Sequence, residues 1–230
     1  MRPWIDFAHS DGEVSMLPID GGRRDSGIGV VGDLPWGSHF CQFYATREDL
    51  TDIVVPYLRA GLEGGELCVW VTTELTNDEA LARLGRGVPR FQEYVAKGQV
   101  QVVPHTEWYL RGGRFELKRT IDLWMAKHDE ALAKGFTGLR VTGSPSWIDG
   151  KEEWDDFAAY EAEINRVIHG ARLLVLCTYS LARCGVAEIL DVVRNHEFAL
   201  ARNRGAWQVI RMPDALPVVT PACAACAPAP

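Results

Sequence analysis

The sequence predicts an α/β protein of three layers, with a mainly parallel sheet covered by helices on both faces. Short apolar segments alternate about five times with segments whose apolar residues recur at helical spacing. The short segments are apolar almost throughout rather than at every second residue, which is typical of parallel strands buried on both faces. Two segments also open with the Thr-x-x-acid pattern of a helix start, at Thr46 and at Thr76.

The strands follow from the apolar segments in chain order. Six strands are predicted, five before the last predicted helix and one after it. They are His39–Tyr44, Glu66–Thr72, Val100–His105, Leu139–Thr142, Leu173–Tyr179 and Trp207–Met212. Near the N-terminus, a loose β-hairpin is predicted from Glu13–Ile19 and Ile28–Val31, which flank a turn-rich stretch.

The helices follow from apolar stripes between these strands. Five helices are predicted. The first begins at Thr46, and the second runs from Thr76 to about Leu84. The others cover about Phe115 to Lys134, the apolar stripe Trp154–Ile168, and about Val186 to Phe198. With no internal repeat, this order favours one domain over residues 34–212. Residues 1–33 are interpreted as an N-terminal extension, and the Pro- and Ala-rich residues 213–230 as a disordered tail.

Composition narrows the class of function. The 230 residues carry a net charge of −7, which disfavours a general nucleic-acid binder because phosphate contacts need a basic face. No apolar run approaches the roughly 20 residues of a spanning helix, and the first fifteen residues lack the apolar run of a secretory signal. We therefore expect a cytoplasmic protein without membrane contact, in which most of the six cysteines are free thiols.

A ligand site is predicted where the strands end. In an open α/β sheet, ligands gather beyond the carboxyl ends of the strands. The residues at those ends are aromatic and low in charge, namely Tyr44, Trp70, His105, Tyr109, Trp147 and Tyr179. They suit a small, apolar or weakly polar ligand, and the alternative is that each covers a strand end against a helix.

Nucleotide-binding motifs are weak in this sequence. No G-x-x-x-x-G-K-[ST] phosphate loop is present. Gly27–Gly32 matches G-x-G-x-x-G but lacks a preceding strand and a following helix, so we interpret it as a flexible connector.

His39 and Cys41 are candidate metal ligands. Strand alternation places them on one face, where Cys177 could supply a third ligand to a soft metal ion. A reactive thiolate beside the imidazole is a second interpretation, and a strand-start histidine with a core cysteine is a third. Cys223 and Cys226 form a C-x-x-C in the tail, but no second ligand pair follows at zinc-site spacing.

Glu161 falls on the apolar stripe of its predicted helix, four residues after Phe157 and three before Ile164. A buried carboxylate is costly unless it is paired or hydrogen-bonded. We expect it to hold an arginine such as Arg140, to orient a ligand with the strand-end residues, or to reach solvent at a boundary position.

Several segments together resemble the MEDS domain, a sensory domain named for methanogens and methylotrophs. The resemblance spans about Leu34 to Met212 and lies in Gly37–Tyr44 (GSHFCQFY), Leu50–Leu62, Gly65–Val71, Gly138–Arg140, Trp147, Tyr160–Glu161 and Leu176–Tyr179. It implies a RecA/KaiC-like core without a functional phosphate loop, and a sensor of small hydrocarbon derivatives. Family members occur beside DNA-binding, histidine-kinase, phosphatase or anti-sigma modules. This sequence has no obvious effector domain, so its output is expected in trans or by self-association.

The sequence thus predicts a non-catalytic sensory protein that binds a small molecule and signals to a regulatory protein, such as a kinase, an anti-sigma factor or a transcription regulator. Self-association as a homo-oligomer is a further expectation, and no cofactor is required. Three alternatives stay open. They are a metal- or redox-responsive sensor using His39, Cys41 and Cys177, an enzyme using Glu161 or His105 as acid or base, and a degenerate nucleotide binder.

Overall fold

Seven strands form one sheet between two layers of helices in the computed structural model, which describes residues 22–211. Strands β1 to β9 span Arg24–Asp25, Asp33–Leu34, His39–Tyr44, Leu67–Thr72, Val100–Pro104, Leu139–Gly143, Leu173–Ser180, Ala199–Asn203 and Ala206–Ile210. Helices α1 to α7 span Arg47–Glu63, Asn77–Gly87, Phe91–Ala96, His105–Trp108, Leu117–Ala133, Lys151–Ile168 and Val186–Asn195. The segment Glu13–Ile19 and the tail with Cys223 and Cys226 lie outside the described residues.

The sheet has the order β5-β4-β6-β7-β3-β8-β9, and its first six strands are parallel. Only β9 runs antiparallel, as the partner of β8. Strands β3 and β7 are neighbours in register, with Cys41 opposite Cys177. The predicted three-layer α/β class with a mainly parallel sheet is therefore confirmed.

Both predicted helix starts are capping boxes. The amide of Asp49 donates to Thr46 Oγ1 at 3.0 Å, and the Thr46 amide donates back to the Asp49 carboxylate. Thr76 and Glu79 make the same reciprocal pair at α2. Because β3 ends at Tyr44 and α1 begins directly after Thr46, the connection between them has no room for a phosphate loop.

The chain after β7 differs from the prediction. Helix α7 ends at Asn195 rather than Phe198, and β8 follows it as a strand that the sequence pattern missed. Strands β8 and β9 are joined through Arg204 and Gly205, both at positive φ, which is typical of a type I′ hairpin. Short helices α3 and α4 were also not predicted, and His105 begins α4 instead of ending β5.

The N-terminal hairpin is β1–β2, and Ile28–Val31 lies in its turn rather than in a strand. Gly27, at φ +72°, lies so close to the carbonyl of Pro56 in α1 that a Cβ would clash. The segment interpreted as a flexible connector is therefore a hairpin turn packed on α1. Ile28 and Leu34 are both buried in the core on that side of the sheet.

The two faces of the sheet bury separate cores. Odd-numbered residues of β3, β4, β6 and β7 face α5, α6 and α7, whereas even-numbered residues face α1, α2 and the hairpin. Within residues 22–211, the helices are all too short or too polar to cross a lipid bilayer.

Candidate functional site

The residues predicted to line one pocket are divided between the two faces of the sheet. Tyr44 and Trp70 belong to the core under α1, and Tyr109, Trp147 and Tyr179 belong to the core under α5 and α6. Parallel strands bring their carboxyl ends to one edge, but strand alternation sends neighbouring side chains to opposite faces. The predicted set therefore does not share one face of the sheet.

Trp70 and His105 each pack beside the end of β4. The Trp70 side chain is buried, and the space between it and Thr72, Ser144 and Thr178 is too small for a water molecule. His105 Nδ1 lies 3.3 Å from the carbonyl oxygen of Thr72, which secures the start of α4 against β4.

A small cavity lies beyond the carboxyl ends of β6 and β7. Its volume is about 30 Å³, and its walls are Pro145, Ser146, Ile148, Trp154, Tyr179, Ser180, Arg183 and Cys184. Trp147, which precedes one of these wall residues, packs on Tyr109 with ring centroids 5.9 Å apart. Three of the predicted aromatic residues therefore meet at or beside this cavity.

A set of polar side chains crosses the same edge of the sheet. Tyr44 donates its hydroxyl to Glu74, and Ser144 Oγ lies 3.3 Å from the same carboxylate oxygen. Ser144 Oγ is 2.8 Å from Ser146 Oγ, which also lies 3.4 Å from the Tyr44 hydroxyl. Burial and the neighbouring Glu74 carboxylate raise the pKa of Tyr44, so its hydroxyl stays protonated and acts as a donor.

Larger grooves are open and polar. One of about 460 Å³ lies where α6 begins, and Glu116, Glu152, Glu153 and Asp156 give it an acidic lining. Its acidic lining does not match the predicted weakly polar ligand.

Four buried side chains converge under α6 and α7. His39 of β3, Cys177 of β7, Glu161 of α6 and His196 after α7 place their ligand atoms within 4.8 Å of one another. Glu161 Oε2 lies 3.0 Å from His39 Nε2, 3.4 Å from His196 Nε2 and 3.6 Å from Cys177 Sγ. These residue types are the ones that hold transition-metal ions in proteins. We call them the His39–Glu161–Cys177–His196 cluster.

The topology explains why these four meet. Strands β3 and β7 are neighbours, and His39 and Cys177 lie on the face that is covered by α6 and α7. Glu161 shares the inward stripe of α6 with Phe157 and Ile164, all at most 2% exposed. The chain leaves α7 after Asn195, which places His196 directly over the sheet.

Burial controls the charges in the cluster. Burial raises the pKa of Glu161, whereas His196 and His39, when they are protonated at Nε2, lower that pKa below its ordinary value. Burial and the adjacent His39 lower the pKa of His196. Burial and the Glu161 carboxylate raise the pKa of Cys177 and of Tyr179. The charge of the Glu161 carboxylate therefore depends on whether the two imidazoles carry a proton at Nε2.

The earlier metal candidates are only partly brought together. His39 and Cys177 belong to the cluster, whereas the buried Cys41 lies on the same face without joining it. Glu161 pairs with histidines and not with Arg140, which lies on the other face of the sheet and pairs with Glu66. His196 was missed, and its position four residues after Val192 is the local signal that it continues the inward side of α7.

The chain was compared with known proteins. A family model described as "MEDS: MEthanogen/methylotroph, DcmR Sensory domain" matches residues 38–197. The transcriptional repressor DcmR of Methylorubrum extorquens is 25% identical over 168 residues, which are 72% of this chain. The chain spans about 60% of the length of that repressor.

Two solved structures have the same fold. A KaiC-like protein from Pyrococcus horikoshii superposes with a TM-score of 0.60 at 16% identity, covering 84% of this chain and 89% of the other. The flagellar accessory protein FlaH from Methanocaldococcus jannaschii gives a TM-score of 0.52 at 12% identity, covering 84% and 88%. These likenesses confirm the expected RecA/KaiC-like core.

Proposed function

The chain belongs to the MEDS family of sensory domains, and from this premise we propose that it senses a small, weakly polar molecule at the carboxyl edge of β6 and β7. The observation that carries the proposal is the cavity beside Trp154 and Tyr179. It lies where open α/β sheets usually bind their ligands. The sensory role itself rests on the family match and on the likeness to a transcriptional repressor.

The cavity supports a very small ligand. Since about 10–15 Å³ of such space holds one water molecule, about 30 Å³ admits a molecule of two or three heavy atoms. Ile148 and Trp154 offer apolar surface, and Ser146, Ser180 and Arg183 offer a few polar groups. That mixture suits a short hydrocarbon derivative with a halogen or hydroxyl substituent.

The size of the ligand also limits its affinity. The best tiny ligands gain about 1.5 kcal/mol per heavy atom, so three atoms give at most about 4.5 kcal/mol. That free energy corresponds to a Kd of about 1 mM or slightly below. A sensor of this design responds to an abundant or accumulating compound.

The proposed output acts on a regulatory protein. The segment Ser180–Cys184 lines the cavity and leads into α7, whose Val186 and Leu190 side chains are exposed. A ligand that moves this segment would change the exposed apolar surface of α7, to which a partner protein can bind. Regulation of transcription takes place where the DNA is, so the proposal includes a cytoplasmic location.

Tryptophan fluorescence tests the proposal. Titration of the full chain with short halogenated and hydroxylated compounds should quench emission saturably, and Trp154→Phe should remove most of the signal. Ser180→Leu, which fills the cavity, should weaken binding at least tenfold. Trp70→Phe on the opposite face is the matched control and should leave affinity unchanged.

Two results would refute the ligand site. One is a titration that does not saturate up to about 50 mM ligand, a concentration well above the Kd of about 1 mM that three heavy atoms can support. The other is unaltered affinity in Ser180→Leu. Recovery of the ligand chemically unchanged after incubation separates a sensor from an enzyme that uses the same cavity.

A further inference from the structure

The hydrogen bonds behind the cluster fix which imidazole nitrogen of His39 carries a proton. His39 Nδ1 lies 2.8 Å from Asn165 Oδ1, an atom that can only accept. The Asn165 amide cannot be reversed without loss, because its nitrogen donates to the carbonyl of Asn195. Nδ1 of His39 therefore carries the proton, and in the neutral ring Nε2 presents a lone pair to the cluster.

His196 is held in the same way. Its Nδ1 lies 2.6 Å from the carbonyl oxygen of Val192, which can only accept. Its Nε2 therefore also presents a lone pair, 3.4 Å from Glu161 Oε2. The two rings lie with their centroids 4.1 Å apart, so protonating both would bring two buried cations together.

With both rings neutral, the cluster contains no cation beside the Glu161 carboxylate. Both Nε2 atoms and the Cys177 sulfur surround Glu161 Oε2. The Cys177 thiol has a single proton, which it can donate either to Glu161 Oε2 or to His39 Nε2. Glu161 Oε1 is buried and has no hydrogen-bond partner among the described residues. Electron pairs that converge on one another in a protein interior are costly unless a proton donor or a cation compensates them.

We propose that His39, Glu161, Cys177 and His196 bind one divalent transition-metal ion, with zinc as the favoured metal. A tetrahedral ion with ordinary zinc bond lengths separates its nitrogen, oxygen and sulfur ligands by about 3.3–3.6 Å. Four of the six pairs of ligand atoms lie 3.0, 3.3, 3.4 and 3.6 Å apart, and the other two pairs lie within 4.8 Å. Two imidazoles with a thiolate disfavour calcium and magnesium, which bind through oxygen.

The surroundings match those of a metal site. In proteins, a metal-ligating histidine usually donates its other ring N–H to a carbonyl or amide oxygen, as His39 and His196 do here. Binding would displace the Cys177 proton to solvent, and the ion would hold the thiolate. All four side chains are buried, which is typical of a closed structural or sensory ion rather than an open catalytic one. The four cluster residues are distinct from those that line the proposed ligand cavity.

Metal binding to the full chain is the first test. After treatment with a chelator, the protein should take up one equivalent of Zn²⁺, and its Tm should rise with the concentration of free Zn²⁺. Co²⁺ should produce a thiolate-to-cobalt charge-transfer band and visible d–d bands of tetrahedral intensity. Release of about one proton per ion should accompany binding at neutral pH.

Variants assign the site. Cys177→Ser should abolish the charge-transfer band, while Cys41→Ser, its buried register partner, should keep it. Asn165→Ala, which frees the His39 ring, should weaken Zn²⁺ binding by about 10–100-fold while retaining one site per chain. The doubly substituted Cys223→Ser/Cys226→Ser chain should bind one ion as before.

Three results would overturn the proposal. They are an absence of Zn²⁺ and Co²⁺ uptake by the wild-type chain, a charge-transfer band that survives Cys177→Ser, and loss of the ion in the Cys223→Ser/Cys226→Ser variant. Ligand titrations with the same preparations distinguish this failure from failure of the sensory cavity, because the cavity readout is Trp154 fluorescence and needs no metal.

Discussion

Replacing Arg140 with methionine should strongly destabilise the protein. Arg140 of β6 is completely buried, and its guanidinium is paired with the equally buried Glu66. It also donates to the carbonyl oxygens of Tyr57, at 2.7 Å, and Asp25, at 2.9 Å. One side chain therefore joins the sheet to α1 and to the N-terminal hairpin.

The magnitude follows from what the substitution leaves behind. Methionine keeps most of the volume but leaves the Glu66 carboxylate in the core, where Arg24, at 2.9 Å, is the one remaining cationic partner among residues 22–211. Removing one member of a buried ion pair costs about 3–5 kcal/mol. For a domain of about 150–250 residues, that loss lowers Tm by about 6–20 °C.

Thermal unfolding followed by circular dichroism measures the effect. In the double variant Arg140→Met/Glu66→Gln, the stranded charge is gone, so at least half of the lost Tm should return. Lys118→Ala, which breaks an exposed ion pair with Asp122, is the matched control and should leave Tm unchanged within error. A single variant that melts within about 2 °C of wild type would refute the reasoning, since that is less than 1 kcal/mol. So would a double variant less stable than the single one.

Three further predictions use other parts of the fold. The hydrogen bond from Arg202 lowers the pKa of Asp49, so Arg202→Gln should reduce the chemical-denaturation midpoint at pH 7. The difference between variant and wild type should vanish as the pH falls through the folded-state pKa of Asp49, which lies below about 3.9. Gly61→Ala places a methyl group 2.7 Å from Cδ of Arg140, and the overpacking should cost about 1–3 kcal/mol in urea unfolding. Because the β3–α1 connection at residues 45–46 holds no phosphate loop, calorimetry with Mg·ATP should detect no micromolar binding and no hydrolysis; a micromolar Kd would contradict this.

Local signals in the sequence were sufficient to predict the central elements. The apolar runs at β3, β4 and β7 are buried along nearly their whole length, so their continuous apolar sequence was sufficient to locate these strands. Thr46 and Thr76 predicted both capping boxes because that motif needs only four consecutive residues. Strand β8 was missed because Ala199–Asn203 ends in polar residues, and its parallel partner β3 is distant in the chain.

The assembly of the candidate site required more information than the local patterns around Glu161 and His196 contain. The apolar stripe of α6 identified Glu161 as unusual, but its partners depend on the register between β3 and β7 and on where α7 ends. His196 became a candidate only once α7 was seen to stop at Asn195. The strand-end rule placed Tyr44 and Trp70 at the correct edge, yet it does not specify on which face each side chain lies.

Tyr179 connects the two proposed sites physically. Its side chain forms part of the cavity wall, and its ring lies 5.8 Å from that of His196. Its buried hydroxyl has no hydrogen-bond partner among residues 22–211, so the side chain is held by packing alone on that side. A ligand that shifts Tyr179 therefore presses on the His39–Glu161–Cys177–His196 cluster. Linkage is reciprocal: whatever factor the ligand applies to the affinity for Zn²⁺, Zn²⁺ must apply to the affinity for the ligand. Equal factors in the two titrations would identify one coupled sensory unit, whereas affinities unaffected in both directions would make the cavity and the cluster independent.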